Sequence, residues 1–149
     1  MAMWAEFEAA APEMAAAGRA QLEKYQLAYI ATVRSDGGPR LHPVSPFIID
    51  GHLLVSTPPS SPKGGDQLRD PRVVIHMLPG DRDDECMIRA RARLVPPGPL
   101  KTKACEYAHY VRQEDYLFDY DIESVMTAYW ESVGQPGTYP VRRAWSAGG

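Results

Sequence analysis

The pattern of apolar and polar positions changes near residue 27. Before it, residues 3–24 are rich in Ala, Glu, Met and Leu and poor in β-branched residues, a composition that favours helix. Pro12 suits the first turn of a helix better than its interior. We therefore expect a broken N-terminal helix over about 3–24 that covers part of the core.

Beyond residue 27 the chain has the Tyr, Ile, Thr and Val content of strands. An SDGGP turn at 35–39 and the pair Asp50-Gly51 lie between apolar runs, and Asp-Gly in such a place indicates a tight hairpin. The pattern predicts three consecutive antiparallel strands, at about 27–34, 39–49 and 52–57.

Turn-forming residues interrupt the strands after residue 57. GGDQLRD at 64–70 should form a short helix or turn at most, because paired glycines weaken a helix and Pro71 ends it. Residues 72–78 then predict a fourth strand. Residues 87–95 predict a fifth strand with one face in solvent, because apolar residues alternate there with Arg89, Arg91 and Arg93.

The last third of the chain is harder to assign. PPGP at 96–99 breaks the sheet, and residues 100–113 predict a helix with one apolar side made of Ala104, Tyr107, Ala108 and Val111. Residues 117–130 fit either strand or helix, and we favour a sixth strand because such a sheet needs closing. The tail, about 131–149, shows no regular pattern, and its end is expected to be mobile.

These elements predict one domain, 1–149, since 149 residues suffice for a single core. The fold class is mainly β (α+β): six antiparallel strands in a closed or nearly closed barrel with a few flanking helices. A barrel this small is filled by its own side chains, so a cofactor would bind on its outer surface or at a subunit interface.

Net charge and hydropathy exclude some classes of binding partner. A net charge of -3 gives no overall attraction to nucleic acid or to an anionic membrane, so we expect neither as a partner. No apolar run approaches the roughly 20 residues that span a bilayer, and the acidic N-terminus is unlike a secretory signal, so we expect a cytoplasmic protein. Cys86 and Cys105 lack metal-site spacing, so we expect no metal and no disulfide.

Lys63 ends a loop that is rich in serine and proline. Ser60 and Ser61 supply hydroxyls, the prolines fix several φ angles, and Arg40 on the second predicted strand could add a guanidinium fork. Stiffening the loop lowers the entropy lost on binding an anion. These residues suit a phosphate group, although a solvated lysine on a stiff surface loop is the simpler alternative from composition alone.

His42 lies in PRLHPVSP, on the same strand face as Arg40 and Val44. Pro43 and Pro46 prevent full ladder pairing, so backbone groups are left for a planar heterocycle. The alternative is a histidine packed at an irregular strand end. The other histidines are expected in the core or an interface (His76) and on the surface (His52, His109).

The sequence has no GxSxG, HExxH, Walker or GxGxxG motif, so hydrolase, zinc protease, nucleotide triphosphatase and Rossmann functions lack their signatures. The catalytic residues are therefore unknown. The arginines at 89, 91 and 93 could bind nucleic acid, line a dimer interface or edge a polar cofactor, and the acidic balance argues against nucleic acid.

The order of these segments resembles the pyridoxamine 5'-phosphate oxidase-like superfamily of flavin-binding split barrels. The resemblance covers about 27–95 and consists of the DGG turn, PRLHPVS at 39–45, DGHLLVST at 50–57, SSPK at 60–63 and DPRV at 70–73. It implies a six-stranded split barrel that forms a homodimer with two cofactor sites at the subunit interface.

The resemblance also implies site residues for FMN. Arg40, Ser61, Pro62 and Lys63 correspond to the phosphate-binding positions. The backbone near the flavin ring corresponds to His42, Pro43, Val44 and Ser45, and the strand end along the flavin to Ser56 and Thr57. Trp145 corresponds to a tryptophan that approaches the flavin from the partner subunit.

The chain departs from the family in two places. Gly64-Gly65 and Gln67 replace better helix formers and a leucine, so we expect a distorted local helix. The C-terminal pattern that holds pyridoxal phosphate is absent, and we expect no vitamin B6 synthesis.

The expected function is therefore an FMN-dependent oxidoreductase that acts on a small organic substrate, in which the flavin carries the hydride. One alternative is an F420-dependent reductase, with Arg89 and Arg91 as candidates for the longer anionic tail. The other alternative is a non-catalytic protein that binds or sequesters a flavin or haem.

Overall fold

The computed structural model describes residues 1–149 and contains four helices and eight strands. The helices are α1 (Trp4–Ala10), α2 (Pro12–Tyr25), α3 (Pro62–Arg69) and α4 (Pro99–Tyr107). The strands are β1 (Ala28–Val33), β2 (Pro39–Val44), β3 (Phe47–Ile49), β4 (His52–Thr57), β5 (Arg72–Met77), β6 (Glu85–Leu94), β7 (Tyr116–Glu131) and β8 (Tyr139–Ser146). The predicted mainly β (α+β) class is confirmed, with eight strands in place of six.

All strand pairs are antiparallel, and the order across the sheet is β2-β1-β5-β6-β7-β4-β3, with β8 paired to β7. The long strand β7 makes this possible. Its first residues pair with β4, from Tyr116 to Asp119, and its last residues pair with β8, from Ser124 to Glu131. β4 and β8 therefore pair with successive parts of the same strand, β7.

The predicted strand over 39–49 is two strands, because the chain bends at Ser45-Pro46. Pro43 and Pro46 have no N–H to donate to a ladder, which weakens pairing at this point. As a result β2 lies at one edge of the sheet and β3 at the other. The two edges follow each other in the chain but do not pair. The sheet is therefore open between them, in place of the closed or nearly closed six-stranded barrel expected from the sequence.

The N-terminal prediction is confirmed: the helix is broken before Pro12, which occupies the first turn of α2. Trp4 and Phe7 of α1 are fully buried. α2 packs closely on β6 at Gly18, where an added Cβ would lie 2.8 Å from the Sγ of Cys86. Burial raises the pKa of the Cys86 thiol to about 12, so this thiol is kept protonated.

The C-terminal assignments are partly wrong. Residues 117–130 form a strand, as favoured, but the supposedly irregular tail contains β8, which pairs along eight residues of β7. Helix α4 ends at Tyr107, short of the predicted 113, and Tyr107 is 61% exposed in place of lying on the apolar side. None of the helices has the length and apolar character to cross a membrane.

Two groups of buried side chains form the core. The larger group lies between the sheet and helices α1 and α2, and it includes Trp4, Phe7, Ile30, Ile75 and Ile88. The smaller group lies under α4 on the other face of β4 and β7, and it includes Phe47, Leu54, Val95, Ala104 and Leu117. Each large apolar side chain that is fully buried contributes about 1.5–3 kcal/mol. These two layers fix the ends of β2 and β4, where the predicted site residues lie.

Candidate cofactor site

The predicted SSPK loop leads directly into α3. Ser61 is the N-cap residue, and Pro62 occupies the first turn, where its missing N–H costs nothing. Of the two expected forms, a short helix or a turn, the structure has the short helix: α3 is eight residues long and begins before the two glycines. Gly64 has a packing role: an added Cβ would lie 3.0 Å from the Tyr116 ring and 3.2 Å from Thr57. The glycine lets α3 approach β4 and β7.

Lys63 is half-buried at the start of α3, and its Nζ donates a hydrogen bond of 2.9 Å to the Oγ of Ser61. Burial lowers the pKa of the Lys63 ammonium. Lys63 makes no ion pair with a carboxylate of the chain. A partly desolvated cation without an anionic partner differs from the solvated surface lysine that composition suggested.

Arg40 faces α3 from β2, and only the Nε of its guanidinium is bound to another group of the chain. Its Nε donates a hydrogen bond of 2.6 Å to the Oδ2 of Asp66, and its two Nη atoms donate to no group of the chain. The side chain is 26% exposed. The Nη edge of Arg40 is therefore available to an external anion, in the geometry that suits a phosphate.

Asp66 is a buried carboxylate that sequence reasoning missed. It accepts hydrogen bonds from Arg40, from Thr32 Oγ1 at 2.8 Å and from Arg69 Nη2 at 3.0 Å. Burial raises the pKa of Asp66, but the three hydrogen bonds outweigh burial and the pKa is lowered. The register of the first hairpin places Thr32 opposite Arg40, so both side chains reach the same carboxylate.

His42 lies on the same face of β2 as Arg40 and is partly buried. Burial lowers the pKa of the imidazole, and the charges of Lys63 and Arg40 lower it further, against an opposing effect of Asp66. The lowered pKa favours the neutral imidazole at pH 7. The structure brings together Arg40, His42, Ser61 and Lys63, which were proposed from separate segments of sequence.

The strand end at Ser56 and Thr57 points its two side chains to opposite faces. Ser56 donates a hydrogen bond of 3.1 Å to the Oδ2 of Asp115. Thr57 is fully buried beside Gly64, and its Oγ1 has no hydrogen-bond partner in the chain. Of this pair, Thr57 therefore packs α3 against the sheet, and only Ser56 lies partly at the surface.

The remaining predicted residues are distributed along the β2 edge and β8. Pro43 is exposed opposite Tyr29, and Val44 is buried in the core. Ser45 forms the bend between β2 and β3. Trp145 packs on Phe7 of its own chain, with ring centroids 5.1 Å apart. Its approach to a cofactor held by a partner subunit stays a prediction.

The arginines suggested for a longer anionic tail lie elsewhere in the chain. The strand register places Leu41, Ala31, Val74 and Arg89 in one row across the sheet, on the face opposite to Arg40. Arg91 is hydrogen-bonded to Glu123 at 2.9 Å. Within one chain, neither arginine joins the cluster at α3.

The site lies outside the main cavities of the chain. None of the five main cavities is lined by Arg40, His42 or Lys63. The donors present nevertheless fit the phosphate of FMN: the Lys63 ammonium, the Ser61 hydroxyl, the free Nη edge of Arg40 and the N-terminus of α3.

Solved structures share this fold. The heme binding protein from Mycobacterium smegmatis superposes with a TM-score of 0.65 at 16% identity, over 87% of this chain and 56% of that one, so the chain spans just over half of its length. HupZ from Group A Streptococcus gives 0.64 at 16% identity over 78% and 91% of the two chains. General Stress Protein 26 from Bacillus anthracis str. Sterne gives 0.61 at 18% identity over 75% and 91%. At such identities these similarities show the fold alone.

No curated protein matches the sequence significantly. The sequence model described as pyridoxamine 5'-phosphate oxidase matches residues 14–134, which include every strand from β1 to β7 and the whole cluster at α3. Since this match covers most of the chain and agrees with the observed fold, the protein belongs to the pyridoxamine 5'-phosphate oxidase family.

Proposed function

We propose that this protein is an FMN-dependent oxidoreductase. The observation that carries the proposal is the cluster at the start of α3. Lys63 lies next to the Ser61 hydroxyl, and Arg40 is held to Asp66 of the same helix with its Nη atoms free. Bound FMN would supply hydride transfer to or from a small organic substrate. The chain itself would bind the phosphate and place the flavin ring along β2.

The residues have separate tasks in this proposal. Lys63, Ser61 and the Nη edge of Arg40 would hold the phosphate, and Asp66 would fix the orientation of the Arg40 guanidinium through Nε. His42 is neutral, so it adds no charge next to the ring and can donate or accept a hydrogen bond there.

A direct experiment is to record the visible spectrum of the purified protein and to titrate the apo form with FMN. We expect a flavin spectrum and micromolar or tighter affinity. Lys63→Ala should weaken binding by roughly 1.5–3 kcal/mol, or about 10- to 150-fold, as expected for a hydrogen bond to a charged group. Lys24→Ala removes an exposed lysine at the end of α2 and serves as the matched control. Equal FMN affinity of all three proteins would refute the role of Lys63, and no affinity at all would refute the proposal.

We also propose a homodimer, formed by the outer face of the sheet. The row Pro43, Tyr29, His76, Met87 and Met126 runs across five strands of that face, while α2 packs on the opposite face at Cys86. Leu41 and Tyr29 on this face are 65% and 44% exposed, which is unusual for large apolar side chains next to each other on a strand pair. A second copy packed on this face would cover both side chains.

Light scattering after size exclusion tests the dimer. We expect twice the mass of 16.5 kDa for the wild type and the monomer mass for Leu41→Asp, because the carboxylate would be buried without a partner. Leu68→Asp, at a 47% exposed position on α3, controls for the added charge. A wild-type monomer would remove this part of the proposal and leave FMN binding to be judged by its own titration.

Haem binding without turnover is a second candidate function, favoured by the neutral state of His42. A neutral imidazole is the form that ligates iron, and the adjacent cations Arg40 and Lys63 would pair with carboxylates of a porphyrin. Titration with haemin distinguishes the candidates: a shifted Soret band that is lost in His42→Ala but kept in His109→Ala supports haem. Unchanged spectra would exclude His42 as a haem ligand.

The F420 alternative needs anion contacts beyond the phosphate cluster. Arg89 and Arg91 would have to come from the partner subunit, because both lie on the other face of the sheet in their own chain. Parallel titrations with FMN and F420 test this. If F420 binds more tightly than FMN, and Arg89→Ala weakens F420 binding, F420 and not FMN is the cofactor.

A further inference from the structure

A cavity of about 600 Å³ lies beside the bend between β2 and β3. The end of α2 forms one wall, and the segment that follows α4 forms the other. Ser45 and Phe47 line its floor, so the cavity adjoins the strand that is proposed to run along the flavin ring. No residue of the phosphate cluster lines it, which makes it a separate space next to that site.

Aromatic rings dominate the α4 wall. Tyr107 stacks on the buried ring of Phe47 with centroids 5.5 Å apart and an interplanar angle of 21°. Tyr110 meets Phe47 edge to face at 6.4 Å and 82°, and His109 meets Tyr110 in the same manner at 5.8 Å and 81°. One buried ring therefore anchors two further rings that reach the cavity.

These rings are ordered but not covered. Tyr107 and Tyr110 are 61% and 46% exposed, although each packs on Phe47 on one side. The Tyr110 hydroxyl lies 3.4 Å from the carbonyl oxygen of Ser45, which connects the aromatic wall to the β2–β3 bend. Aromatic faces held in place by one buried partner are preorganised to receive another planar ring at little entropic cost.

The charges in the cavity disfavour an anion. Arg19 is already paired with Glu8 at 2.7 Å, and its guanidinium lies over the Trp4 ring. Glu23 also lines the cavity, and its carboxylate pairs with no group of the chain. An unpaired carboxylate repels anions and favours neutral or cationic ligands.

We propose that this cavity binds a planar aromatic or heteroaromatic molecule of one or two rings that is neutral or cationic. Because Ser45 lines the cavity and directly follows β2, along which the flavin ring is proposed to lie, such a molecule would be the substrate of the flavin. That last assignment rests on the proposed function, whereas binding in the cavity does not.

Isothermal titration of the apo protein with menadione, a neutral two-ring quinone, tests the binding. We expect saturable binding, and a loss of about fivefold in affinity for each of Tyr107→Ala and Tyr110→Ala, as aromatic pairs are worth about 1 kcal/mol. Tyr107→Phe should keep the affinity because it keeps the ring. Tyr139→Ala removes a 56% exposed tyrosine on β8, outside the cavity, and should bind like the wild type.

Two comparisons complete the test. 2-Naphthoate, an anion of similar size, should bind at least tenfold more weakly than menadione, and Glu23→Gln should reduce that difference. Lys63→Ala should bind menadione like the wild type, so failure of FMN binding would leave the cavity site standing. Absence of saturable menadione binding at 1 mM, or equal binding by Tyr107→Ala and Tyr139→Ala, would overturn the proposal even if FMN binds.

Discussion

Asp66 is the residue whose loss should most change the site without touching a ligand. It is 3% exposed and accepts hydrogen bonds from two arginines and from the buried hydroxyl of Thr32. Asp66→Asn replaces one acceptor oxygen by an amide that can only donate, and it removes the charge. The helix α3 that carries Lys63 then loses part of its polar connection to β1 and β2, while the bond from Arg69 to the carbonyl of Val33 remains.

The substitution costs a different free energy at each of the three hydrogen-bond partners of Asp66. Thr32 is buried, so its hydroxyl is left without an acceptor and costs about 1–3 kcal/mol. Arg40 and Arg69 are 26% and 46% exposed, so water replaces part of each lost bond and the cost falls to about 0.5–1 kcal/mol each. We therefore expect Asp66→Asn to reduce the free energy of unfolding by roughly 2–5 kcal/mol.

Urea denaturation of a double-mutant cycle measures this. Thr32→Val keeps the shape of the side chain and removes its hydroxyl, and it should cost about 1 kcal/mol in the wild type. In the Asp66→Asn background the same change should cost nothing or be favourable, because the hydroxyl is already unsatisfied there. Full additivity of the two changes, or a cost of Asp66→Asn below 1 kcal/mol, would refute the assigned role of Asp66.

The pH dependence of this difference has a definite sign. The pKa of Asp66 is lowered in the folded state, so its contribution to stability is complete above the unfolded pKa of about 3.9 and is lost as pH falls through the folded pKa. The gap in stability between wild type and Asp66→Asn should therefore be constant from pH 6 to 8 and shrink below about pH 4. A gap that changes between pH 6 and 8 would point to another titrating group.

Two further predictions concern the packing around α3. Gly65→Ala should stabilise the protein by roughly 0.5–1 kcal/mol, because the added Cβ meets open space. Gly64→Ala should leave the protein at least about 1 kcal/mol less stable than Gly65→Ala, because its Cβ meets Tyr116 at 3.0 Å. Thermal denaturation of the two variants tests this, and equal effects would contradict it. Tyr120→Phe should cost about 1–3 kcal/mol in urea, because the buried hydroxyl donates a hydrogen bond of 2.8 Å to Gln67 Oε1, and a neutral effect would show that water replaces the bond.

The sequence predicted the hairpins well because local turn chemistry determines them. The Asp50-Gly51 turn has the positive φ angles that a tight hairpin requires, and it joins β3 and β4 as expected. The eighth strand was not predictable in this way, since β8 carries three charged or small polar residues in eight positions and forms only because β7 extends far enough to pair with it. Long-range pairing of this kind leaves no local signal.

The site residues likewise divide into those that local sequence identifies and those that depend on contacts distant in sequence. Lys63, Ser61 and Arg40 were identifiable because their residue types and order carry the chemistry. Asp66 was not, because an aspartate after two glycines is typical of a turn, and its burial depends on Gly64 bringing α3 against the sheet. Trp145 illustrates the limit of transferred roles, since its ring has a packing partner in its own chain.

The charge of the cluster bears on the choice between FMN and F420. Arg40, Lys63 and Arg69 contribute three positive charges, Asp66 removes one, and the neutral imidazole of His42 adds none. The Nη2 of Arg69 donates to Asp66 and to the carbonyl of Val33, so Arg40 and Lys63 are the two cations left to bind an anion. Two such cations match one phosphate monoester, whereas the longer anionic tail of F420 would extend beyond them. Since Arg89 and Arg91 lie on the far face of the sheet, FMN is the cofactor whose charge a single chain can match, and F420 would depend on arginines from a second chain.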